Sequence, residues 1–192
     1  MSATATRILD AARSRLLGEG YAGLSTRRVA DIAGVPLSQI HYHFGGKKGL
    51  VVALLDNENR RLVERQRQMY SAEVSLWKRY EQACDLLDED LASGYVRVLQ
   101  EMIAAGWSDP ELARQVLAML RSWFDVLLDV VREAEAKFGP LGPFAAADVA
   151  GLIGLAFLGG ESLILLGDPE WGQQARGWLR SVAELIRQRE EA

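Results

Sequence analysis

The residues best equipped for chemistry in this 192-residue chain crowd into its first 50 positions: Arg27 and Arg28, His41 and His43, and Lys47 and Lys48. Three kinds of chemistry could use such a set. A metal site is the first, but His41 and His43 stand two residues apart, so on a helix they point in nearly opposite directions, and no cysteine or carboxylate cluster completes a ligand set. Catalysis is the second. The chain has no nucleophile motif and no phosphate-cradling glycine loop, and both of its histidines already sit in this basic segment, so no enzyme and no cofactor is expected. Binding of a polyanion is the third, and it suits every member of the set.

The elements that must carry these residues are short helices. Ser25 or Thr26 can cap a helix in which Arg27 and Arg28 occupy the first turn. Cations at a helix N-terminus oppose its dipole, an arrangement that makes sense if a phosphate is to bind at that end; an ordinary solvated pair is the alternative. Gly34 closes that helix where a left-handed residue turns the chain, and Pro36 can open the next one. This is helix-turn-helix spacing. On a helical wheel from Pro36, Ile40 and Phe44 face inward while Ser38, Gln39, His41 and Tyr42 face outward, a set suited to phosphates and base edges in a DNA groove. Leu37 and His43 flank it, and Lys47 and Lys48 follow where they would reach backbone phosphate. Before this unit, Ile8, Leu9, Ala12, Leu16 and Leu17 make one apolar stripe, a scaffold helix.

The segment LSTRRVADIAGVPLSQIHYHFGGKKGL, residues 24–50, resembles the N-terminal signature of the tetracycline-repressor (TetR) family. Thr26, Arg27, Ala30, Ala33, Gly34, Val35, His43, Phe44 and Lys47 fall on the family pattern. His41 departs from it, standing where the family usually has the first tyrosine of its aromatic cluster. The resemblance implies that Thr26 and Lys47 hold phosphate, that Arg27 and residues of the third helix approach bases, and that two heads read successive major grooves of a palindromic operator. It also implies an effector-binding body and a homodimer.

Charge is distributed accordingly. The net charge of −4 hides eleven Lys and Arg against six Asp and Glu in residues 1–68, and eleven against twenty in the remainder. A single cysteine, Cys84, excludes an internal disulfide, and Asp10 and Glu19 occupy the region where a signal peptide would be apolar, so a cytoplasmic location is expected. The most apolar stretch, 149–166, is interrupted by four glycines, Glu161 and Ser162, and reads as a buried helix with no membrane partner.

Apolar residues recur at helical spacing throughout, and no useful run alternates as a strand would. The expected fold is all-α, with nine helices in a TetR-like arrangement near 4–18, 25–33, 36–43, 46–70, 74–92, 94–105, 109–137, 144–166 and 170–190. Residues 1–48 would form the DNA-binding head and 49–192 the ligand-binding and dimerisation body.

In the body, Trp77, Tyr80 and Cys84 share a face of the fifth helix, Met102 lies on the sixth, Leu120, Trp123, Phe124 and Leu127 lie on the seventh, and Phe157 on the eighth. Each is a candidate effector contact, with plain core packing as the alternative. Trp107 is a candidate gate or a hydrophobic latch on its turn. Glu161 would contact an effector, pair with an arginine across a dimer, or face solvent. The last two helices suit a dimer interface: Leu152, Leu155, Gly159 and Leu163 on one, Trp178, Val182 and Leu185 on the other. The expected function is a ligand-responsive regulator of transcription, most simply a repressor released from double-stranded DNA by a small apolar or aromatic effector. The alternative is an activator or architectural protein that binds DNA without a ligand.

Overall fold

The computed structural model describes residues 2–191, which form nine α-helices and no strand: α1 (Ala3–Gly23), α2 (Thr26–Ala33), α3 (Leu37–Phe44), α4 (Lys47–Tyr70), α5 (Leu76–Ser93), α6 (Tyr95–Gly106), α7 (Pro110–Phe138), α8 (Ala146–Leu165) and α9 (Pro169–Glu191). Most boundaries lie within two residues of those read from the sequence. The exception is α1, which continues through Gly18 and bends at Gly20, where φ is 73°. The bend has a partner: the Glu101 carboxylate accepts from Tyr21 N, satisfying a backbone donor that the kink exposes. The later start of α5 also has a cause, since the Arg79 side chain donates to Val74 O at 3.0 Å and Tyr70 O at 2.6 Å and holds the preceding turn closed.

The chain divides into two compact units. The first comprises the chain up to residue 61 with residues 90–117; the second comprises 62–89 with 118 onward. Thus α4, α5 and α7 each contribute to both units, while α6 belongs to the first.

Helices α2 and α3 are eight residues each, too short to hold helical form alone in water, so packing must hold them. Within the first unit, α1 supplies that support through Ile8, Ala12 and Leu16, all fully buried, facing α2, α3 and α6. Burial of a side chain the size of Ile8 or Leu16 contributes about 1.5–3 kcal/mol. Helix α6 closes on the end of α1: Arg97 Nη2 donates to Leu17 O at 2.6 Å, and a Cβ at Gly94 would stand 2.1 Å from that same carbonyl, so only glycine permits the approach.

In the second unit, Asp168 Oδ1 accepts from Trp171 N at 2.9 Å and caps α9, with Pro169 placed where a missing N–H costs nothing. Helices α8 and α9 pack together. Some of the small residues of α8 serve this unit's own interior: Gly154 faces Phe124, and a Cβ at Gly160 would meet Leu179 at 3.0 Å. Gly151 and Gly159 face open space. By length and composition α8 could cross a membrane, with a mean hydropathy of 1.6 in its most apolar window, yet it carries a buried glutamate, Glu161, and an α9 neighbour.

Candidate nucleic-acid interface

The head is built around one turn. Ser25 is the residue that caps α2, its hydroxyl accepting from Arg28 N at 3.5 Å. Gly34 ends α2 in the left-handed region (φ 62°, ψ 43°); Val35 N donates back to Ala30 O at 3.0 Å and Gly34 N to Asp31 O at 3.2 Å. A side chain at Gly34 would be strained in that conformation. Pro36 then begins α3 with an extended ψ of 144°, and its carbonyl accepts from Gln39 N at 2.9 Å. From α1, Arg7 Nη2 donates to Gly34 O at 3.4 Å, fixing the turn to the scaffold helix.

Helix α3 buries a single side chain, Ile40. The opposite face is open: Ser38, His41 and Tyr42 are exposed, Tyr42 to 80 %, and Leu37, Gln39 and His43 are partly so. Phe44 is half-buried, so the inward face rests on Ile40 more than the helical wheel suggests. Tyr42 and His43 meet edge to face at 4.9 Å, and His41 lies beside Gly46. On α2, Arg27 and Arg28 are exposed and Thr26 is half-buried. The structure therefore brings these candidates onto one accessible helix-turn-helix, with a hydrocarbon anchor beneath it.

The two lysines are already occupied. Lys47 Nζ donates to Ala22 O at 3.3 Å and lies 4.7 Å from the centre of the Tyr21 ring. Lys48 pairs with the Asp109 carboxylate at the turn between α6 and α7. The other oxygen of that carboxylate caps α7, accepting from Glu111 N and Leu112 N at 3.1 Å each. Lys48, first among several causes, holds the Asp109 carboxyl below its ordinary pKa. Sequence reading found Lys48 but not its partner, because 61 residues separate them. Where α4 leaves this site, a Cβ at Gly49 would fall 1.8 Å from Phe44 O, so the glycine lets α4 start hard against the end of α3.

The second unit holds a cavity of 230 Å³ lined by residues of α4, α5, α7, α8, α9 and the loop at Leu141. Of the candidate effector contacts, Tyr80 and Leu127 line it. Trp123, Phe124 and Phe157 form an aromatic cluster with Tyr80, centred 5.9 Å from Tyr80 to Phe157, 6.3 Å from Trp123 to Phe157 and 5.2 Å from Trp123 to Phe124. Cys84 is buried, and burial pushes its thiol up to about 11. Trp77 and Leu120 are half-buried, and Met102 is fully buried in the first unit. Trp107 is 84 % exposed and packs as no latch. Glu161 is buried, which removes the solvent-facing alternative within the chain.

The remaining lining residues were not read from the sequence as effector contacts, among them Tyr70, Leu76, Val131, Ala134 and Arg189, while Ile153, Leu185 and Ile186 lie on the two helices read as a dimer interface. Their only signal was the stripe Leu127, Val130, Val131, Ala134 and Phe138 on α7, which periodicity cannot distinguish from core.

The dimer candidates divide cleanly. Leu152, Leu155, Gly159, Trp178 and Leu185 are exposed, whereas Leu163 and Val182 are half-buried. Trp171 and Trp178, both about half exposed, stack edge to face at 6.0 Å, and Leu166 is 80 % exposed.

Residues 8–54 match the model of the family described as bacterial regulatory proteins, tetR family. No curated protein is matched. Solved structures are similar along the whole chain. A TetR transcription regulator from Haloarcula marismortui superposes with a TM-score of 0.76 at 21 % identity, covering 96 % of this chain and 98 % of that one. A TetR transcriptional regulator from Legionella pneumophila gives 0.72 at 19 % identity, covering 95 % and 98 %. The regulator FadR from Bacillus subtilis, solved with stearoyl-CoA, gives 0.68 at 16 % identity, covering 94 % and 96 %. Residues 8–54 are thus similar to the helix-turn-helix segment of that family, and the described residues share the all-helical fold of these solved structures.

Proposed function

We propose that this protein is a ligand-responsive repressor that binds a palindromic operator as a homodimer in the cytoplasm and is released by a small apolar or aromatic effector. The observation that carries the reading is the exposed polar face of α3, set on one buried isoleucine and preceded by a turn that only glycine accommodates without strain. In this reading residues 1–48 are the reader and 49–192 the responder. Thr26 and Lys47 hold phosphate, and Lys48 does so once it is released from Asp109, with Arg28 and His43 beside the backbone. Arg27, Ser38, Gln39 and Tyr42 approach base edges, while Leu37 and His41 flank them.

The exposed leucines of α8 and tryptophans of α9 support dimerisation, because a hydrocarbon surface of that kind on a monomer would otherwise face water. The cavity in the second unit supports an effector site, and two solved relatives of the same fold hold small molecules, stearoyl-CoA in one and choline in the other. Helix α4 runs unbroken from Lys47 to Tyr70, from reader to responder, and gives a bound effector a path to the head spacing.

A fluorescence-anisotropy titration against DNA from upstream of the protein's own coding region tests this. Sequence-specific binding at moderate salt is expected, weakened by Arg27→Ala at particular base positions and by Lys47→Ala uniformly, with a shallower salt dependence in the second case. Binding with no sequence preference would remove the reading. A ligand-independent DNA-binding protein is indicated instead if specific binding occurs and no apolar compound alters it.

A further inference from the structure

We propose that the cavity of the second unit takes an amphipathic monoanion, with its apolar body inside and its acidic group at the rim on Arg189. The proposal rests on the reading above that the body holds an effector, and it specifies that effector's charge and orientation.

The cavity is asymmetric. Its inner wall is made by buried side chains, Leu76, Tyr80, Leu127 and Val131 among them, and its rim carries the exposed Leu185 and Arg189. The inner wall offers an ion no compensation: it is hydrocarbon except for tyrosines, and burial drives the pKa of both Tyr70 and Tyr80 upward, so neither ionises near neutrality. An ionised group placed there would lose its hydration without a counter-charge. At the rim the situation reverses. Arg189 Nη2 donates to Phe138 O at 3.0 Å, and among the described residues no carboxylate pairs with it. The neighbouring carboxylate, Glu190, is engaged by Lys137 at 2.5 Å and by Trp77 N at 3.4 Å. One positive charge therefore stands at the mouth with its remaining donors directed to no acid, in the fork geometry that suits a carboxylate.

Size narrows the class further. A dry cavity of about 150 Å³ holds benzene, and scaling to 230 Å³ gives room for about nine non-hydrogen atoms. A monocarboxylate with about seven to nine apolar carbons fills that space with its head outside it. A cation of the same length would meet Arg189, and a neutral alcohol would leave Arg189 unanswered.

Isothermal titration calorimetry on the full-length protein with sodium octanoate, 1-octanol and octyltrimethylammonium tests the assignment. Octanoate is expected to bind at least about threefold tighter than octanol, although octanol is the more apolar, with the cation weakest. Arg189→Met should bring octanoate to the level of octanol and leave octanol unchanged. Ala134→Phe should fill the cavity and abolish both; if it loses the native helical circular dichroism, Val149→Phe from the α8 wall replaces it. Octanoate binding no tighter than octanol, insensitive to Arg189→Met, retained in a folded cavity-filled variant, or absent altogether overturns the proposal. Because the calorimetry needs no DNA, a protein that binds its operator but not octanoate refutes only this inference, and one that binds octanoate but no specific DNA refutes only the regulator reading.

Discussion

Replacing Asp109 by asparagine separates two tasks that one carboxylate performs. Its Oδ1 caps α7 through Glu111 N and Leu112 N, and its Oδ2 holds Lys48. Asparagine keeps an acceptor for the cap and removes the charge, so α7 should remain in place while Lys48 is released. In the proposed complex a released Lys48 adds one phosphate contact per head, two per dimer. Each contact steepens the dependence of log K on log salt by about 0.9, so Asp109→Asn should add roughly 1.8 to the slope. The side chains of Lys48 and Asp109 are 40 % and 37 % exposed, which puts the competition they offer in the range of a surface pair, about 1.5- to 5-fold per head. For two heads the affinity gain at low salt is therefore roughly 2- to 25-fold. Anisotropy titrations between 50 and 200 mM salt, with a fixed operator duplex, measure both quantities. The control is the same substitution in a Lys48→Ala background, where slope and affinity should not change. An unchanged slope in the single variant, or a gain that survives the loss of Lys48, would falsify the latch.

Three further outcomes follow from the geometry. Ile40→Ala removes the only side chain α3 buries, at 0 % exposure, and should cost about 2–5 kcal/mol in urea denaturation and abolish specific DNA binding; a cost below about 1 kcal/mol would mean that α3 is held by something else. Cys84, with its thiol raised to about 11 by burial, should react with a disulfide reagent at pH 8 only after unfolding, and stoichiometric labelling of the native protein would contradict its placement. Burial raises the Glu190 carboxyl, but the bonds from Lys137 and Trp77 N outweigh it and leave the group below its ordinary pKa of 4.5. A depressed carboxylate stabilises the fold above its unfolded pKa and loses that contribution as pH falls through the folded value. Melting temperatures should accordingly drop more steeply below about pH 4.5 in the wild type than in Glu190→Gln, and parallel curves would show that the pair contributes nothing.

The helix-turn-helix was legible from residues alone because its determinants are local. A capping serine, an αL glycine, a proline at a helix start and one inward isoleucine are set by steric and hydrogen-bonding rules that act over three or four residues. The same rules placed nearly every helix boundary, and they failed at Gly20, where a carboxylate from α6 stabilises a bend that no neighbouring residue announces.

The body was legible as helices but not as a site. Periodicity marks a face as apolar without saying what covers it, so Met102, Cys84 and Leu127 looked alike in sequence; packing buried all three and set the third alone of them against a cavity. Glycines of α8 that suited a dimer contact on composition divide in space, Gly154 and Gly160 receiving Phe124 and Leu179 and Gly151 and Gly159 staying open. Ion pairs behaved likewise: Lys48 with Asp109, and Arg79 with Glu133 at 2.8 Å, join residues more than fifty positions apart. Sequence by itself determined the helices, their caps and the chemical character of the α3 surface, since those depend on near neighbours. Only the tertiary structure decided which cations are already engaged and which, like Arg189, face no acid among the described residues, because side-chain pairing and cavity shape depend on distances that chain order does not encode.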